Sequence, residues 1–307
     1  MFLVRLAFAL ALPCLILLPQ NASGAKRRAC QNLEQSYAQI ARGASTVEVN
    51  NTLFSATGKG CEALARRALE AGASLEARDR FGAKPLSHAA ASGQPELVTL
   101  FLNQGAPIDA RNLDGSTALF KAAESGRLEI VKLLVDRGAE VDLPGRSGIT
   151  PLAAAAYMGS KPIAAFLMEK GADPNWIDAT KKSAIVYAAG RGFLPVTQLL
   201  LDSGVDVNAR YGNDLTVLMW TAGHSSEAGV LDVVEVMKLL LARGANVDDR
   251  DNRGRTALMI AAELNHAAAA DLLLEHGADK SLRDHQGKSA ADLTSLTALR
   301  EKLAAAR

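Results

Sequence analysis

Aromatic residues make up only 5% of this 307-residue chain although hydrophobic residues make up 49%, so its core must be built from small aliphatic side chains. Excess charge is missing too: 34 basic residues face 33 acidic ones, a net +1. That balance gives no electrostatic footprint for nucleic acid or for an anionic membrane surface. The five histidines, His88, His224, His266, His276 and His285, are scattered and specify no metal cage. Catalytic spacings are absent. There is no H-E-x-x-H and no G-x-S-x-G, and Gly287-Lys288-Ser289 lacks the upstream glycine of a phosphate-binding loop. These absences argue against an enzyme and against any metal or cofactor.

Long apolar runs are scarce as well. Leu6 to Leu18 spans 13 residues, with Arg5 before it and Ser23-Gly24-Ala25 after it. A charged start, a short apolar stretch and a small-x-small site predict a secretory signal peptide over 1–25, with an uncleaved anchor as the alternative. Neither Cys14, after Pro13, nor Cys30, after Lys26, Arg27 and Arg28, fits a lipid-attachment site. Cleavage leaves 33 basic and 33 acidic residues and two cysteines, Cys30 and Cys61. An even count in an exported chain predicts one disulfide between them, worth roughly 3 kcal/mol by loop entropy. Two buried, unpaired thiols are the alternative.

What the chain has in abundance is period. Gly72, Gly105, Gly138, Gly171, Gly204, Gly244 and Gly277 follow one another by 33, 33, 33, 33, 40 and 33 residues, and all but Gly204 precede an alanine. A fixed beat of this length marks stacked supersecondary units. Written from its turn, the unit reads D-x-x-G-x-T-x-L-x-x-A-A-x-x-G, then a second apolar helix ending L-L-x-x-G-A; Asn112 to Pro144 and Asp251 to Arg283 are the clearest copies. Asn51, Thr117, Thr150, Ser183, Thr216, Thr256 and Ser289 stand where the first helix should start and can cap it, with Lys84 breaking the series. Pro85 and Pro151 follow where a missing N–H costs nothing. Gly60, Gly93, Gly126, Gly159 and Gly192, with Asn265 as a substitute, should end that helix in the left-handed conformation.

This pattern resembles the ankyrin repeat over about residues 46 to 307. The resemblance implies an α-helical solenoid of stacked helix-turn-helix units with short β-hairpin fingers. The expected organisation has a signal peptide at 1–25 and an N-terminal capping helix at 26–45, with Leu33, Tyr37 and Ile40 on its apolar side. Seven repeats then fill 46–283, starting at Thr46, Asp79, Asn112, Gly145, Asp178, Tyr211 and Asp251, before a truncated capping repeat at 284–307. The 40-residue step places seven extra residues around Ser225 to Leu231, read as a longer loop between two helices. One departure stands out: the family's histidine after the first-helix leucine is replaced by Ser87, Phe120, Ala153, Val186, Met219 and Met259, so its usual hydrogen bond should be missing.

The family resemblance also implies binding to a protein partner through a concave palm made of the fingers and first helices. The variable positions there are Arg80, Phe81, Arg111, Asp114, Glu124, Arg146, Tyr157, Met158, Arg191, Arg210 and Arg253, with Trp176, Tyr211 and Trp220 close by. Arginines and aromatics are the types that most often dominate interface energetics. Two competing readings stay open: the recurrent arginines as a solvated ladder, and Trp220 as a core residue. The expectation is a monomeric, periplasmic accessory protein without cofactor, nucleic-acid partner or membrane span after cleavage, secretion being the second choice. Exported bacterial proteins that look like this include factors associated with protecting catalase function and immunity proteins that block toxic lipases. A neutralising immunity role or a secreted effector is the alternative.

Overall fold

The structure is a computed structural model that describes residues 20–223 and 230–304. The apolar run at Leu6 to Leu18, His224 and residues 225–229 lie outside the described residues. No helix among the described residues is long and apolar enough to cross a membrane.

Helix α1 (Gln20–Ile40) opens the array and is followed by paired helices. The pairs are α2 (Thr46–Lys59) with α3 (Glu62–Glu70), α4 (Pro85–Ser92) with α5 (Pro95–Asn103), and α6 (Ala118–Glu124) with α7 (Leu128–Asp136). Next come α8 (Pro151–Tyr157) with α9 (Lys161–Glu169) and α10 (Ala184–Gly190) with α11 (Leu194–Asp202). The last are α12 (Val217–Ala222) with α13 (Val230–Ala242), α14 (Ala257–Glu263) with α15 (Ala267–Glu275), and α16 (Ala290–Leu293) with α17 (Thr297–Ala304). First helices pack on first helices from α2 through α16, and second helices form a parallel row from α3 through α15. Ala89-Ala90, Ala122-Ala123, Ala155-Ala156, Ala188-Ala189 and Ala261-Ala262 are all buried where first helices meet. With a methyl group at each contact, the backbones come close without a void. Leu97, Phe101, Ile130, Leu134, Ile163 and Leu200 fill the space between the rows. Each such burial contributes about 1.5–3 kcal/mol.

The caps follow from the repeat. Thr117, Thr150, Thr216 and Thr256 each accept the third backbone N–H of the helix they precede, and Ser289 makes a reciprocal box with Asp292. Gly60 (φ 70°) and Asn265 (φ 60°) take the left-handed conformation expected at those ends. Two expected caps fail. Asn51 lies inside α2, because the first copy has no finger and its helix starts earlier, at Ser45, which pairs reciprocally with Glu48. Ser183 is buried and makes no capping bond. Lys84, the odd residue of the series, is also buried and places its ammonium 2.6 Å from Glu76.

The fingers are shorter than hairpins except one. Strands β1 (Arg210–Tyr211) and β2 (Leu215–Thr216) pair antiparallel, Arg210 with Thr216 and Tyr211 with Leu215. The other fingers are tight turns, closed by single bonds such as Asp79 N–H to the Ala83 carbonyl and Asp251 N–H to the Arg255 carbonyl. At the N-terminal end, α1 passes through Gly24 and Ala25 without a break and packs on α2 and α3. Tyr37 is buried, but Ile40 is 39% exposed, so the apolar side of α1 ends before it. A disulfide joins Cys30 of α1 to Cys61, the residue before α3. The seven-residue insertion is not wholly a loop: α13 has 13 residues where α11 has nine, so four of the extra residues add one helical turn.

Candidate protein-binding face

The finger tips are built around one acceptor. Asp79, Asn112, Asp178, Asp251 and Asp284 each use one side-chain oxygen to accept two backbone N–H groups of the turn that follows. In three copies the remaining carboxylate oxygen reaches a side chain. Asp79 takes the His88 ring at 2.8 Å, Asp178 takes the Tyr187 hydroxyl at 2.5 Å, and Asp251 takes the Arg255 guanidinium at 2.8 Å. The polar link expected to vanish with the family histidine is thus remade from other positions. Burial works against the Asp79 carboxylate, but the His88 ring and the N–H groups of Ala83 and Phe81 hold its pKa below the usual value. Burial and the bond to Asp178 push the Tyr187 phenol up to about 12.

Fingers are then tied to one another. The Phe81, Ser147, Lys181, Asn213 and Arg253 carbonyls accept from Leu113, Ala179, Gly212, Asn252 and His285. Arg78, Arg210 and Arg250 reinforce this by donating to the carbonyls of Arg111, Arg250 and Arg283, one finger further on. At Arg78, Arg210 and Arg250 the recurrent arginine is therefore a staple between repeats, while the Arg210 side chain, also paired with Asp249 at 3.3 Å, stays exposed.

Three hollows lie in a row between the fingers and the first helices. The first, about 340 Å³, has Phe81, Asp114 and Glu124 on its walls together with His88 and Lys121. The second, about 170 Å³, lies among Phe120, Ile149, Ala153, Tyr157 and Tyr187. The third, again about 340 Å³, is walled by Trp220, Arg253, Arg255 and Leu264. Six of the residues singled out in the sequence, Phe81, Asp114, Glu124, Tyr157, Trp220 and Arg253, are thereby brought onto one face. Arg80 stacks over the Phe81 ring at 4.7 Å, and Arg191 over Tyr157 at 4.2 Å. Trp176 donates its indole N–H to the Gly148 carbonyl of the preceding finger and keeps an exposed ring face.

A family model described as ankyrin repeats, in three copies, matches residues 53–145, 143–211 and 185–284. The chain belongs to the ankyrin-repeat family. Among solved ankyrin structures, the human ASB11 ankyrin repeat domain superposes with a TM-score of 0.64 at 28% identity, covering 72% of this chain and 96% of that one. Ankyrin repeat domain-containing protein 63 from human and from mouse matches at 45% identity over 53 residues, 17% of this chain. The match spans 14% of the length of those curated relatives. Ankyrin repeats are a protein–protein interaction scaffold.

Within the ankyrin frame the remaining candidates separate. Tyr211 is 8% exposed and buried between repeats, so its ring is not offered to a partner. Its repeat position normally holds the finger acid. Met158, at 48%, and Arg146 are open to solvent but line none of the three hollows. Arg111 is exposed and stands beside Asp109 and its own finger turn. Trp220 is half-buried, with Lys182 at 4.9 Å over its ring, which makes it part core and part wall. Sequence reasoning missed Tyr187, His88 and Leu113; the first two share one repeat position with Trp220, and aligning the copies at that column would have exposed them. Among the described residues no group of three or more His, Cys, Asp or Glu side chains is placed to hold a metal ion.

Proposed function

We propose that this chain is an exported, non-catalytic ankyrin scaffold that binds a protein partner on the face formed by its fingers and first helices, acting as a periplasmic accessory factor. The observation that carries the reading is the row of three hollows, whose wall residues Phe81, Tyr157 and Leu264 are exposed apolar side chains outside the buried core. Exposed aromatics at a concave face are among the groups that anchor partners. The bonded finger row keeps the surface preorganised, so little ordering entropy opposes docking. Export is supported by the Arg5, Leu6–Leu18 and Ser23-Gly24-Ala25 arrangement.

Affinity capture with residues 26–307 tests it. Truncating an aromatic hot spot costs about 2 kcal/mol or more, so Tyr157→Ala should weaken the captured interaction roughly thirtyfold, while Glu129→Ala on the outer helix α7 should not change it. An unchanged set of captured proteins in Tyr157→Ala removes the assignment of the face. Capture of a toxic lipase, with loss of its activity, would replace the accessory role by an immunity role.

A further inference from the structure

We propose that the middle hollow, between α6, α8 and α10, receives a single apolar side chain of the phenylalanine or leucine class carried on an acidic segment of the partner. This rests on the concave-face reading and names the chemistry of what that face takes.

Size comes first. The hollow measures about 170 Å³ and is walled by apolar side chains and the Tyr157 and Tyr187 rings, with Glu124 at its edge and held by Lys121 at 2.8 Å. A dry apolar cavity of about 150 Å³ is enough to hold a benzene ring. Rigidity comes next. Tyr187 is fixed by its hydroxyl on Asp178, Tyr157 meets it edge to face at 5.9 Å, and Arg191 stacks on Tyr157. The rings therefore lose little freedom when a third group enters.

Charge decides the segment that brings it. Arg146 and Lys181 stand exposed on the two fingers beside the hollow, and neither side chain has a hydrogen bond or ion pair among the described residues. Lys182 adds a cation over the Tyr187 ring at 5.6 Å. The acid of that finger, Asp178, is buried and spent on the Thr180 and Lys182 N–H groups and on Tyr187. Glu124 is paired with Lys121, which leaves Asp114 on the finger before and Asp214 on the finger after as the open acids of this neighbourhood. Arg146, Lys181 and Lys182 outnumber them, so positive charge is in excess around an apolar socket, and a segment bearing carboxylates answers it.

Of the chain's two tryptophans, Trp176 lies in the repeat that supplies Tyr157, and Trp220, one repeat beyond Tyr187, shares Lys182 with it, so intrinsic fluorescence follows peptide binding. The probes are three synthetic peptides: Glu-Ser repeats with one central Phe, the same with Ala for Phe, and the same with Lys for every Glu. The acidic Phe peptide should bind residues 26–307 and weaken as salt is raised. Replacing its Phe by Ala should cost about tenfold, the burial of one side chain. Arg146→Glu and Lys181→Glu should each weaken it about fivefold. Ala153→Leu, which fills the socket, and Tyr157→Ala, which opens it, should both abolish the Phe preference; circular dichroism confirms that each variant is folded. Equal binding of the Lys peptide, no Phe preference, or no binding of any peptide overturns the proposal. If that happens while the captured partner remains sensitive to Phe81→Ala or Arg253→Ala, the concave-face reading stands and only this socket falls.

Discussion

Trp220 stands one repeat length after Tyr187, yet the two side chains meet opposite fates. Tyr187 finds Asp178; the equivalent finger residue facing Trp220 is Tyr211, which offers no carboxylate, and the buried Trp220 indole N–H has no hydrogen-bond partner among the described residues. A buried donor without an acceptor costs about 1–3 kcal/mol. Replacing it by an apolar ring of similar shape should therefore be neutral or favourable. Trp220→Phe is expected to keep or raise the thermal midpoint, measured by circular dichroism, whereas Tyr187→Phe, which strands the Asp178 carboxylate, should lower it. A large drop for Trp220→Phe would mean that the indole has an acceptor after all. The staple role of Arg210 belongs to this scale too, and nothing in composition or spacing distinguishes a guanidinium bonded to the next carbonyl from one free in water.

At the scale of elements, α1 is the least repetitive part of the array. It is amphipathic rather than apolar, and among its described side chains Tyr37 is buried in the core with Cys30 and Leu33 partly buried against it. The Cys30–Cys61 bond closes a loop 31 residues long and ties α1 down covalently. In the loop-entropy account a closure of that length stabilises by about 3–4 kcal/mol. Adding reductant, or replacing both cysteines by serine, is expected to lower the midpoint and to speed hydrogen exchange in α1 before any later helix. Uniform exchange along the chain after reduction would contradict that. The α12–α13 unit makes a second point about elements. Its longer step reads as a loop because spacing counts residues without saying where they go, yet four of them continue the helix. Asn51 illustrates the same limit, since the repeat register carries on through α2 although the finger that would define it is missing.

Across the whole molecule, each repeat touches only its neighbours, so stability is close to a sum of unit and interface terms. Leu152 is fully buried in the central α8. Leu152→Ala should cost about 2–5 kcal/mol. The loss should appear as faster hydrogen exchange in α6 through α10, with α2 and α16 little affected; a uniform change would show that the array unfolds as one block. The same one-dimensional order is why the fold was so legible. Period, capping residues, paired alanines and left-handed helix ends are local requirements of a unit, and most copies state them again, so single departures such as Lys84 or Thr221 do not hide the pattern. The palm was legible only as a set of positions: Phe81, Asp114, Tyr157 and Arg253 line its hollows, whereas Tyr211 is buried and Arg210, still exposed, is bonded to the next finger.

The sequence by itself determined the helical solenoid and its repeat period, because those follow from contacts within one unit and its copy next door. Only the tertiary structure decided which side chains of that face remain available. That choice is made by pairs brought together by folding, Arg210 with the Arg250 carbonyl, Asp178 with Tyr187, and Arg191 with Tyr157. Such pairs depend on distance and direction in space, and the linear spacing of residues records neither.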